Sequence, residues 1–298
     1  MNHLKVVSDS LRRQSLDRFW QVQYVESESN PGAFKIIPVA DSLPVSPIDV
    51  IFLIPTCARY AAKADAVRRT WASELASLGY RYLFLMGNPQ LQNSVILEDV
   101  LYVPCRDDYE SLLLKLVLGY QFLYSIANFT HIYKIDDDCY PDLTRITSSV
   151  LPQLSSIQYA GGKTHPKGAN INKKWHFGKC SDVRFDKAYH FDAAPFEYAK
   201  GGYGYFLRRD VLPVLFKNVE LLKKEIDDYV YSYEDIRIAE MLHQVGATVH
   251  KLKAYDVCRF SEASKLDFTL IYDILDTNKY FILQSMLHHE RTVVNITI

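Results

Sequence analysis

His131-Ile132-Tyr133-Lys134-Ile135-Asp136-Asp137-Asp138 is a short apolar run that closes on three consecutive carboxylates. The run reads as a buried strand, and a helix candidate over 143–154 follows it. Adjacent carboxylates at the end of such a strand repel one another, so a bound cation is their natural partner. Oxygen ligands select a hard ion, Mn²⁺ or Mg²⁺, which in turn attracts a diphosphate. Aspartate clusters also occur in solvated turns, and Pro141 alone fits one. The strand before the cluster and the helix after it favour a site.

Working upstream, Ile48-Asp49-Val50-Ile51-Phe52-Leu53-Ile54 is a continuous apolar run of the kind that becomes a central parallel strand. Ala62, Ala66, Trp71, Leu75 and Leu78 then recur at near-helical spacing, closed by Gly79. Tyr82 to Met86 and Leu101-Tyr102-Val103 read as further strands. Asp108 caps a helix expected to run to about Ala127, with Leu112, Leu116, Tyr120 and Leu123 on one face. This alternation predicts an α/β fold with a mostly parallel sheet flanked by helices. Ligands in such sheets bind beyond the carboxyl ends of the strands, where the Asp triplet lies. Residues 1–47, dotted with prolines, are expected to form an N-terminal appendage with short strands near 19–25 and 34–39, and 48–298 the main domain.

Composition bounds the function. The chain has 298 residues, 48% of them hydrophobic, enough to bury a large core. Lys plus Arg number 34 against 35 Asp plus Glu, so a net charge of -1 argues against nucleic acid as a partner and makes any phosphate binding local. The five cysteines, at 57, 105, 139, 180 and 258, are too dispersed for a disulfide framework or a CxxC zinc site. No apolar block is long enough for an integral membrane segment, so a cytoplasmic protein is expected, peripheral at a membrane at most. The sequons at Asn128 and Asn295 carry no weight without secretion.

Downstream, Tyr198-Ala199-Lys200-Gly201-Gly202-Tyr203-Gly204-Tyr205 places three glycines within four positions, a backbone that turns tightly or approaches a ligand. A plain hairpin is the equal alternative. Tyr231-Ser232-Tyr233-Glu234-Asp235 opens a helix bearing Ile238, Met241 and Leu242, ended by Gly246. Acidic residues at a helix start are explained by the helix dipole, yet a carboxylate is also the usual base for sugar transfer.

In this order the segments resemble the β1,3-glycosyltransferase family of β1,3-galactosyltransferases, core 1 galactosyltransferases and Fringe-type enzymes. Five blocks carry the resemblance: Thr56 with Lys63 to Trp71; Asp108 to Lys115, with Ser111 where the family usually has Asn; Tyr133 to Asp138; Lys174-Trp175 with the 198–205 glycine block; and Tyr233 to Ile236. They span about residues 48–260. The resemblance implies a GT-A fold and an inverting, metal-dependent transfer of a hexose or N-acetylhexosamine from a UDP-sugar to a hydroxyl of a glycan or glycoconjugate, forming a β1,3 linkage. It assigns Asp136 and Asp138 to the metal, and Asp235, or else Glu234, to the base. Thr56, Lys63, Arg68, Lys134, Asp137, Trp175, Gly201, Gly202 and Tyr203 are assigned to the donor. Arg68 reads better as a solvated helix charge than as a phosphate ligand, and Lys115 likewise fits as decoration of a helix surface. At Gly202 a Cβ is expected to meet a disallowed φ or the sugar itself. Members commonly offer a metal-binding His after the strand that follows the Glu-Asp block; here that stretch reads Asp256-Val257-Cys258-Arg259-Phe260 and His250 lies upstream. The site is then incomplete, or Arg259 contacts the diphosphate. Members also carry an N-terminal anchor, and a Golgi-lumen location is the expectation if one precedes this chain. The rival readings are a catalytically silent glycan- or nucleotide-binding relative and a metal-dependent phosphoryl or nucleotidyl transferase.

Overall fold

The computed structural model describes residues 21–23, 35–37, 49–261 and 268–296. From the expected appendage it describes β1 (Gln21–Gln23) and β2 (Lys35–Ile37), paired antiparallel. The rest of 1–47 lies outside the described residues.

The centre is β3 (Val50–Pro55), buried at every position. Its side chains alternate between two cores: Ile51 and Leu53 point to one, Val50, Phe52 and Ile54 to the other. Alternation is the consequence of a two-residue side-chain period, and the unbroken apolar sequence follows from helices covering both faces. Six further strands extend the sheet: β4 (Arg81–Gly87), β5 (Val95–Leu97), β6 (Val100–Val103), β7 (His131–Lys134), β9 (Tyr159–Gly161) and β12 (Tyr205–Arg208). With β13 (His250–Lys251) the eight strands run in the order β13-β9-β12-β7-β3-β4-β6-β5. The β7-β3-β4-β6 block is parallel, as is β13-β9, while β12 and β5 run antiparallel to their neighbours. Three shorter strands, β8 (Tyr140–Pro141), β14 (Val257–Arg259) and β15 (Leu270–Tyr272), form a second sheet in the order β14-β15-β8.

Helices α1 (Ala61–Arg69) and α2 (Trp71–Ser77) replace the single helix expected after β3, because the backbone breaks at Thr70. They cover one face together with α8 (Asn278–Ile296). Helix α3 (Leu112–Ile126) lies against the other and is apolar nearly all round, as a helix enclosed on most sides must be. Gly119 brings it close to the sheet, since a Cβ there would stand 2.9 Å from Leu85 Cδ1. The 143–154 helix is present as α4 (Leu143–Arg145) continued by wider and tighter turns to Leu154. Helices α5 (Leu212–Phe216), α6 (Val219–Asp227) and α7 (Glu234–His243) complete the second layer. The strands expected at 48–54, 82–86, 101–103 and 131–135 are present; β5, β8, β9, β12, β14 and β15 are additions of two to four residues, too short for a readable period, and α8 is a further addition.

Candidate active site

The Asp triplet follows directly on β7, at the carboxyl end of the parallel block. The three carboxylates go to three different environments. Asp136 pairs with Lys134 Nζ at 2.6 Å and stays partly exposed. Asp137 is buried and accepts the Thr56 hydroxyl at 2.7 Å, and burial pushes its carboxyl up to about 6 against that bond. Asp138 is pushed up to about 7, by burial first and by the neighbouring Asp136 second. Lys63 on α1 is the cation whose field opposes the rise at both Asp137 and Asp138. Its ammonium rests over the Tyr60 ring at 4.6 Å.

Thr56 is itself tied down. Its carbonyl accepts from Lys115 Nζ at 2.8 Å, and Lys115, buried within α3, also pairs with Asp107 at 2.9 Å. Asp107 in turn accepts from the Ala58 and Gly87 amides. Lys115 is therefore an internal brace at the ends of β3 and β4, not a decoration of a helix surface. Arg68 is the expected donor residue that the structure places elsewhere. Its guanidinium makes a two-pronged pair with Asp99 at 2.7 and 3.0 Å and stacks on Phe84. A guanidinium so committed, beside β4 and β6, joins those strands to α1 and does not face the triplet.

The glycine block wraps the other side of the triplet. Strand β11 (Tyr198–Ala199) leads into a tight turn over Gly201–Tyr203, and β12 follows. Gly201 passes close to α7: its amide donates to Asp235 Oδ2 at 3.0 Å, and a Cβ would stand 2.5 Å from Glu234 Oε2. Gly202 is exposed, and the nearest atom to a Cβ there is Asp136 Oδ2 at 4.0 Å. The left-handed φ expected at Gly202 is found at Gly204 instead, at 74°, where a Cβ would meet the Tyr133 ring and the Lys134 carbonyl. Tyr203 meets Tyr272 edge-on at 4.6 Å, and Arg259 lies over the Tyr272 ring.

The two acidic residues of α7 differ in the same way as those of the triplet. Glu234 is buried, takes the Tyr205 hydroxyl and lies 3.7 Å from Lys134; burial pushes it up to about 7 in spite of that ammonium. Asp235 is partly exposed, and its two oxygens accept the Gly201 and Ile236 amides. Burial raises its carboxyl too, against those two bonds. Burial alone would lower the Lys134 ammonium, but Asp136 and Glu234 outweigh it and hold it above the usual lysine range. Lys134 also donates to the Gly201 carbonyl at 3.1 Å, so one buried cation joins β7, the glycine turn and α7.

Trp175 is 58% exposed, with Lys179 Nζ 3.6 Å from the centre of its ring. Its amide donates to the Tyr233 hydroxyl at 3.2 Å, which ties the 170s loop to the start of α7. His165, on β10 (Thr164–His165), is a residue that sequence reasoning missed. Its ring lies 4.9 Å from that of Tyr198, and burial and Lys200 lower its imidazole while Asp235 raises it. Only the β10–β11 pairing brings it there, and no local motif announces it.

A divalent ion fits this arrangement. Asp138 is a half-buried carboxylate beside a second one, and the two, with phosphate oxygens and waters, would suit a hard divalent ion. Among the described residues no three His, Cys, Asp or Glu side chains gather into a cage made by protein alone. His250 is exposed on edge strand β13, three strands from β7, and is not a third ligand.

The sequence pattern of the galactosyltransferase family, described as "Galactosyltransferase", matches residues 62–253. None of the curated proteins matches. Among solved structures, a glycosyltransferase involved in glycosylating the major capsid protein of PBCV-1 is 11% identical, with 80% of this chain and 99% of that one covered and a TM-score of 0.48. The galactosyltransferase LgtC, in complex with donor and acceptor sugar analogues, is 10% identical over 79% and 95% of the two chains, with a TM-score of 0.43. A Drosophila β1,4-galactosyltransferase 7 with manganese, UDP-Gal and xylobiose is 16% identical over 69% and 65%, with a TM-score of 0.35. No described helix is long and apolar enough to cross a membrane.

Proposed function

Since the chain belongs to the galactosyltransferase family and is thus a UDP-sugar-dependent glycosyltransferase, we propose that it transfers a hexose or N-acetylhexosamine to a glycan hydroxyl with inversion, forming a β1,3 linkage. One observation carries the assignment of roles: the Gly201-Gly202 turn lies beside both acidic groups, bonded to Asp235 through the Gly201 amide and with Asp136 Oδ2 4.0 Å from where a Gly202 Cβ would stand. In this reading donor and acceptor chemistry meet at that turn.

In this reading Asp138 and Asp136 hold Mn²⁺ or Mg²⁺, which supplies charge stabilisation to the departing diphosphate. Lys63 adds a second positive charge on the phosphate side. Asp137 does not contact the donor; it anchors the end of β3 through Thr56. Asp235 accepts the proton of the acceptor hydroxyl while that oxygen bonds to the anomeric carbon and the bond to the diphosphate oxygen breaks. Asp235 is favoured over Glu234 because it is partly exposed, whereas Glu234 is buried against Tyr205 and Lys134. Gly202 and Tyr203 line the donor side, and Trp175 offers an exposed ring to an acceptor sugar.

The test pairs calorimetry of UDP binding with release of UDP from a panel of UDP-sugars and acceptors, each with and without Mn²⁺. Asp235→Asn is expected to keep UDP affinity and lose ~10²–10⁴-fold in turnover. Glu234→Gln abolishing turnover while Asp235→Asn does not would reassign the base. Equal UDP binding with and without metal would sink the metal role, and linkage analysis of the product decides the β1,3 assignment.

A further inference from the structure

The turn after β7 carries four backbone carbonyls, 136 to 139, and each has its own donor. The Asp136 carbonyl accepts from the Cys139 amide at 3.2 Å, and the Cys139 carbonyl from the Trp71 indole at 3.1 Å. The two between them are held from the far end of the chain: the Ile274 amide donates to the Asp138 carbonyl at 2.9 Å, and the Tyr280 hydroxyl to the Asp137 carbonyl at 2.5 Å. The same segment adds β15 to β8, with Ile271 opposite Tyr140, one residue beyond the turn. Ile274, Tyr280 and Leu283 are fully buried, and all lie outside the 62–253 span of the family pattern.

We propose that Tyr280 is a positioning residue for the metal and diphosphate site: its hydroxyl, with the Ile274 amide, fixes the 137–138 and 138–139 peptide planes on either side of Asp138 and so sets where its carboxylate points relative to Asp136. The inference rests on the metal-and-UDP reading above. Three successive carboxylates repel one another, so a turn held only by its own ends would rotate to separate them. A buried carbonyl stripped of its donor is unfavourable, and the peptide recovers part of that cost by turning toward water. Turning the 137–138 peptide swings Asp138 away from Asp136. The Tyr280 ring packs near Tyr140, so replacing it with Phe removes one hydrogen bond and leaves the packing in place. Contacts that orient metal ligands from behind typically change metal affinity by ~10–100-fold.

The experiment compares wild type, Tyr280→Phe and Leu215→Ala, the last a buried residue of α5 in the opposite core that controls for lost stability. Two quantities are read: amide hydrogen exchange across 136–140 in metal-free protein, and Mn²⁺ half-saturation measured calorimetrically at fixed UDP. Tyr280→Phe is expected to speed exchange at 136–140 while 131–134 stay protected, and to raise the Mn²⁺ half-saturation by ~10-fold or more. Leu215→Ala should move neither. Unchanged exchange in Tyr280→Phe overturns the proposal, as does altered exchange with wild-type Mn²⁺ binding, or an equal Mn²⁺ shift in Leu215→Ala. If wild type itself shows no Mn²⁺-dependent UDP binding, the functional reading falls, and exchange alone decides whether Tyr280 holds the turn.

Discussion

At the scale of single residues, the triplet shows how one repeated letter becomes three functions. Asp137 turns inward to Thr56, Asp136 is balanced by Lys134, and Asp138 is left with burial and a like charge beside it. Asp138 therefore has a proton to lose near neutrality. Its folded pKa is raised from 3.8 to about 7, so between those values the folded state binds the proton more tightly than the unfolded one. Stability from this group is then greatest below pH ~4 and falls as pH rises toward 7, and metal binding strengthens over the same rise. Calorimetry of Mn²⁺ and UDP binding at pH 6.5 in buffers of different ionisation enthalpy should report release of close to one proton, vanishing in Asp138→Asn. No proton release in wild type would show Asp138 either already ionised at that pH or outside the cation site. The cluster was legible in sequence because a strand runs straight into it. The division of labour within it was not, since it depends on Thr56 and Lys63, which come from other elements, as well as on Lys134 of the same strand. Arg68 shows the same limit in reverse: its spacing suits a phosphate ligand, but Asp99, 31 positions on, claims it.

At the scale of elements, the glycine turn separates two demands that a sequence cannot tell apart. Gly204 is required by geometry, with a left-handed φ and the Lys134 carbonyl 3.0 Å from where a Cβ would be. Gly202 has room and faces Asp136. Gly204→Ala is accordingly expected to lose about 1–3 kcal/mol of stability, whatever it does to activity. Gly202→Ala should stay within about 0.5 kcal/mol of wild type and still weaken UDP-sugar binding. Denaturant melts beside donor titrations check both, and normal donor affinity in Gly202→Ala would remove that residue from the donor site. Long elements such as α3 and β3 were readable because their burial repeats over many residues. The split of the first helix at Thr70 was not, because the apolar positions on either side of the break keep nearly the same spacing.

At the scale of the molecule, one sheet divides two cores, and the second of them runs from Val50 to Leu287. Residues at both ends of this 50–287 stretch thus belong to one packed unit. Leu283→Ala, far from the triplet in sequence, is expected to cost about 2–5 kcal/mol and lower a single melting transition by roughly 5–15 °C. Two separate transitions in a calorimetric scan would show instead that α8 melts by itself. The four carbonyls of the Asp turn also bear on where a catalytic unit may be cut. A fragment trimmed to the recognisable family span would keep every carboxylate of the proposed chemistry, yet it would lose the central strand β3, Thr56, and two of the four donors that hold the turn. Recognisable ancestry and mechanical completeness have different borders in this chain, and a gene fragment drawn by the first would carry the acids without the frame that aims them.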